Sequence, residues 1–97
     1  MVEHIVLFEL KPETTPEQVG AMEAGLQMLA TEIPGIIGLT FGENFSDRNK
    51  GSTHGLVVRF TDRAALEVYI PHPAHQSVVE ELVRPILDEI IVVDYEI

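Results

Sequence analysis

The chain has 97 residues, enough for one domain but not two, and it carries a formal net charge of −10 with no cysteine. The missing thiols exclude disulfides and thiolate zinc sites, and they fit a cytoplasmic location. The six strong cations, Lys11, Arg48, Lys50, Arg59, Arg63 and Arg84, are scattered, so neither nucleic acid nor an anionic membrane is an expected partner.

Residues 1–20 lack the basic start and unbroken apolar run of a signal peptide. No stretch approaches the roughly 20 apolar residues of a membrane helix. No linker, repeat or low-complexity tract divides residues 1–97, so one folded domain is expected throughout.

Residues 2–10 alternate as a strand. His4, Val6, Phe8 and Leu10 share one face; Ile5 and Leu7 share the other. A helix then opens with Thr15 as N-cap, Pro16 at its first position and Gln18 closing a capping box. Val19, Met22, Leu26, Leu29 and Ile33 make its apolar stripe. Gly20 and Gly25 weaken it and suggest close approach to the sheet; Pro34-Gly35 ends it.

Residues 36–45 read as a second strand, with Ile37, Leu39 and Phe41 on one face. The polar run 46–52 is a loop. Residues 53–60 form a third strand with His54, Leu56, Val58 and Phe60 together. Thr61-Asp62 caps a short helix over residues 63–70. Pro71-His72-Pro73 breaks it, and a further helix is predicted over 74–89, kinked at Pro85. Residues 90–97 make the last strand.

This βαββαβ order predicts an α+β, ferredoxin-like subunit: a four-stranded antiparallel sheet with helices on one face. The other face should then be polar, yet Ile5, Leu7, Val57 and the run Ile90–Val93 are apolar. Burying that face against a second copy around a two-fold axis predicts a homodimer.

Four histidines carry most of the possible chemistry. His4 and His54 lie on adjacent strands and are expected to open into one cavity on the face away from the helices. His75 follows a proline-braced turn, with Tyr69 six residues before it. Such a set supplies a base and a proton donor near neutral pH. The spacing of His72 and His75 could suit two metal ligands, but Pro73 separates them and no carboxylate completes a motif, so no metal or cofactor is expected. Asp94 stands in an apolar run and is expected to pair with Arg59 or solvent.

Four segments carry a family resemblance: Val2–Phe8, Ser52–Phe60, Tyr69–His75 and Val92–Tyr95. Together they resemble the stress-responsive A/B barrel (Dabb) family across nearly the whole chain. The resemblance implies two ferredoxin-like subunits forming a dimeric α/β barrel. Some members close a linear polyketide by aldol condensation. It further implies that His75 is the base, that Tyr69 polarises a carbonyl oxygen, and that His4 and His54 line and orient. The expected ligand is a small carbonyl-rich molecule. Alternatives are a non-catalytic, stress-protective binding dimer or a cofactor-free monooxygenase.

Overall fold

The computed structural model describes residues 1–97. Its elements run β1 (Val2–Leu10), α1 (Pro16–Glu32), β2 (Ile36–Glu43), β3 (His54–Phe60), α2 (Arg63–Tyr69), α3 (Pro73–Val78) and β4 (Leu87–Glu96). A π-helical turn (Val79–Val83) and a 3-10 turn (Arg84–Ile86) join α3 to β4. The strands form one antiparallel sheet in the order β2-β3-β1-β4. No helix is long and apolar enough to cross a membrane.

The start of α1 follows its sequence signals. The Gln18 backbone N–H donates to Thr15 Oγ1, and the Thr15 N–H donates to Gln18 Oε1, so both partners of the capping box are present. Met22, Leu26, Leu29 and Ile33 then bury against Val2, Val6, Phe8, Leu56, Val58 and Phe60. Each such side chain contributes about 1.5–3 kcal/mol on burial, so this face of the sheet fixes the fold.

Two glycines set the packing of the helical layer. A Cβ at Gly25 would lie 2.6 Å from Leu82 Cδ1, so this glycine admits the segment after α3 rather than the sheet. Nothing lies within 4 Å of a Cβ built at Gly20. Gly35 has φ +92°, and a Cβ there would meet Ala65 Cβ at 2.6 Å. That turn holds α2, and therefore Tyr69, close to the end of α1.

Three local expectations need correction. A bulge between Ile36 and Gly38 breaks the alternation of β2. Ile37 is turned out to solvent, while Ile36, Leu39 and Phe41 pack on the core. The long helix predicted over 74–89 keeps only its first turn and a half as α-helix. Pro85 has no N–H, and its ring crowds the carbonyl four residues back. The chain responds by widening, with the Arg84 N–H reaching Val79 O, and then by tightening. The last strand consequently starts three residues early, at Leu87.

The sheet face away from the helices is apolar, as its sequence pattern requires. Ile5, Leu7, Val57, Ile91, Val93 and Tyr95 share it. It carries the Glu3–Arg59 ion pair at one end, in which Arg59 Nε donates to Glu3 Oε1 at 2.6 Å, and Glu9 opposite Glu89 at the other. Arg59 is therefore not the partner of Asp94.

Candidate functional site

An apolar cavity of about 290 Å³ lies between β1, β4 and the segment from Tyr69 to Leu87. It is on the helix side of the sheet, not on the face away from the helices. The reason is parity. His4 shares a face with Val2, Val6 and Phe8, and that face meets α1. Eleven of the fourteen lining residues are hydrophobic. The polar exceptions are His4, His75 and Arg84 (Tyr69 counts with the apolar wall but brings a hydroxyl).

Three of the four predicted site residues converge here. Tyr69, at the end of α2, is 1% exposed. Its ring centroid lies 5.9 Å from that of His4 and 4.3 Å from that of His75. Burial pushes the Tyr69 phenol up to about 12, so it remains a hydrogen-bond donor across the neutral range.

His75 is half-buried in the first turn of α3. Its Nδ1 donates to the Ile70 carbonyl at 2.9 Å, because a carbonyl can only accept. The proton is thereby fixed on Nδ1, and Nε2 keeps its lone pair. Burial holds this imidazole below the usual histidine range, and the charges of His4 and His72 push the same way; the Ile70 hydrogen bond opposes them.

His4 is 4% exposed. Its Nδ1 lies 2.5 Å from Asp94 Oδ1 across the β1–β4 pair, where the two residues stand directly opposite. A carboxylate in that position fixes the Nδ1–H tautomer and orients the ring. Asp94 is thus the polar residue that sequence reasoning misplaces. Its signal is present in the chain: in antiparallel strands it needs only the β1–β4 register to face His4.

His54 does not join this group. It pairs with Phe8, whereas His4 pairs with Val58, so the two lie four residue pairs apart along the sheet. That is about 13 Å of strand. The His54 ring stacks on Phe41 at 5.6 Å, and its Nδ1 lies 2.8 Å from Thr53 Oγ1. His72 caps α3, its Nδ1 accepting from the Ala74 N–H at 3.1 Å. The two imidazoles of the His-Pro-Ala-His turn therefore have separate uses.

The sequence profile of the stress responsive A/B barrel domain (Dabb) matches residues 2–97. The chain is 33% identical over 95 residues to a stress-response A/B barrel domain-containing protein of Arabidopsis thaliana, covering 98% of this chain but 36% of that longer protein. It is 27% identical over 96 residues to olivetolic acid cyclase of Cannabis sativa, covering 97% of this chain and 94% of the cyclase. Among solved structures, a dimeric ferredoxin-like protein from Jannaschia sp. CCS1 superposes with a TM-score of 0.83 at 35% identity, covering 99% of this chain and 98% of that one.

Proposed function

The chain belongs to the stress responsive A/B barrel domain family, and from the geometry of its cavity we propose that it forms a homodimer that binds a small carbonyl-rich molecule and moves a proton at the carbon beside a carbonyl. The reaction class is an aldol-type, cofactor-free cyclisation or lyase step. The observation that carries this reading is the convergence of Tyr69, His75 and the His4–Asp94 pair in an otherwise apolar cavity.

His75 acts as the base. Its Nε2 takes the proton from the carbon alpha to a carbonyl, and the electron pair moves onto the carbonyl oxygen. A base held neutral by burial is unprotonated when substrate arrives. Tyr69 donates a hydrogen bond to the developing enolate oxygen, which the dry surroundings strengthen. The enolate carbon then attacks a second carbonyl of the same molecule, forming a carbon–carbon bond. The new alkoxide recovers the proton from an imidazolium. His4, its ring fixed by Asp94, presents Nε2 as an acceptor and orients an enol hydroxyl of the substrate. The apolar lining suits an alkyl or aromatic tail and excludes competing water.

Olivetolic acid cyclase supports the chemistry as a relative of similar length. The dimeric Jannaschia protein supports the assembly, which would cover Ile5, Leu7, Val57, Ile91 and Val93. At roughly 25 cal/mol per Å² of apolar surface, covering such a face favours association. NMR-detected exchange of the alpha protons of an aliphatic β-diketone in deuterated water tests the reading. Catalysed exchange that disappears in His75→Ala supports it. Saturable binding of the diketone with no catalysed exchange would reduce the protein to a binding module, the non-catalytic alternative.

A further inference from the structure

The cavity is electrically one-sided. The chain holds 16 acidic side chains against six strong cations, yet no carboxylate lines this cavity and one cation, Arg84, does.

Arg84 reaches the cavity through the irregular turn before β4. In a regular α-helix, a residue five places after Val79 would stand about 140° round the axis from it, at ~100° per residue. The π-helical turn instead closes the Arg84 N–H onto Val79 O and brings Arg84 back over Val79. Val79, Val83 and Arg84 consequently line the same cavity. Pro85 follows at once and ends the turn, which leaves the guanidinium at the rim with its side chain 67% exposed.

That rim opens into a shallow polar hollow. Ile70, His75, Val79 and Arg84 line both spaces, and Gln76 and Glu80 join them in the hollow. The proposed base and the cation therefore flank one opening. Arg84 Nη2 lies 3.0 Å from Glu80 Oε1, but both side chains are mostly exposed. Exposed pairs of this kind hold weakly. The guanidinium keeps further N–H donors for a second, bidentate acceptor.

We propose that Arg84 binds a carboxylate at one end of the substrate, so that this cavity takes a β-dicarbonyl acid in preference to a neutral ketone. The inference rests on the proton-transfer reading above and narrows its substrate. Nine residues of largely helical chain separate His75 from Arg84, about 13 Å at ~1.5 Å each. Both side chains line the hollow between, so the carboxylate sits a few carbon atoms from the carbon that gives up its proton. The net charge of −10 repels anions at long range. Without Arg84, an acid should be the poorer ligand.

Two matched probes test this on the full chain. One is an aliphatic β-diketone with a carboxylate two methylene groups from the nearer ketone; the other is its methyl ester. KM and kcat for catalysed exchange of the protons between the ketones are read by NMR in deuterated water, and Kd by titration. The acid should show a KM and Kd at least about tenfold lower, the scale of one charge-assisted hydrogen bond. In Arg84→Gln that preference should vanish or reverse. Arg84→Lys should recover part of it, and Glu80→Gln, which frees the guanidinium, should enlarge it. Exchange of both probes with no preference for the acid, or a preference that survives in Arg84→Gln, overturns the role of Arg84 and leaves the proton transfer standing. Arg84-dependent binding of the acid with no catalysed exchange of either probe upholds the carboxylate subsite and removes the proton transfer. Neither binding nor exchange overturns both.

Discussion

His4 and His54 make a useful contrast. Both sit on neighbouring strands, on the same face of one sheet, beside an aromatic ring. Only His4 has a carboxylate at its Nδ1 and shares an apolar cavity with Tyr69 and His75; the hollow beside His54 is lined by Glu43, Asn44 and two glycines as well as Leu7 and Val57. The difference lies in height along the strand. His4 is level with Asp94 and under Tyr69, where the short helices α2 and α3 roof the sheet. His54 is at the opposite end, beneath Phe41 and next to the loop. Face and residue type do not make a site; the roof above them does.

The sharpest way to break this contrast is to compare the two ends in the diketone exchange assay. His75→Ala should lower the rate about 10²–10⁴-fold, the usual scale for a positioned base. His54→Ala should leave it within about twofold. A loss at His54 as large as that at His75 would mean that the two ends work as one site.

Asp94→Asn is next in size. The amide cannot hold His4 as a carboxylate does, and its N–H₂ can force the other tautomer. A fall of about 10-fold or more in rate is expected, with Asp94→Glu recovering part of it. The ring nitrogen shifts of His4 in ¹⁵N NMR should report the tautomer change. Loss of rate with unaltered His4 shifts would assign Asp94 a different role.

How far the chain itself discloses these features follows from what each depends on. The capping box at Thr15 and Gln18 is local, and so is the alternation of β1. The element order, and with it the four-stranded sheet, is therefore readable. The bulge at Ile36–Gly38 is hidden because one extra residue reverses parity without any distinctive composition. Pro85 signals a break, but whether a helix kinks, widens or stops depends on what it packs against, here α1 at Gly25. The same holds at the site. Tyr69 and His75 are six residues apart and announce themselves as a turn. His4 and Asp94 are separated by 90 residues, and only the strand register joins them. Sequence pattern alone puts the cavity on the wrong face because the apolar character of both faces of β1 looks like one signal. It is two signals: the helix-side set floors a roofed site, and the opposite set is uncovered.

The smallest effect is the pH response of stability, and it is a property of the roofed end. His75 in the fold is held below the ordinary histidine value of about 6.5, so the unfolded chain binds its proton more readily. Stability from this residue is fully present above pH ~6.5 and falls as pH drops from there toward the lowered folded value. Below that value both states are protonated and the slope from this group ends. His75→Gln removes a group that must stay neutral in the fold, so its urea midpoint should decline less than the wild type's as pH falls below ~6.5. Because the variant also loses the Ile70 hydrogen bond, the two midpoints should differ most at neutral pH and converge in acid. An acid limb in His75→Gln as steep as the wild type's would mean that the roofed end has no special hold on its imidazole.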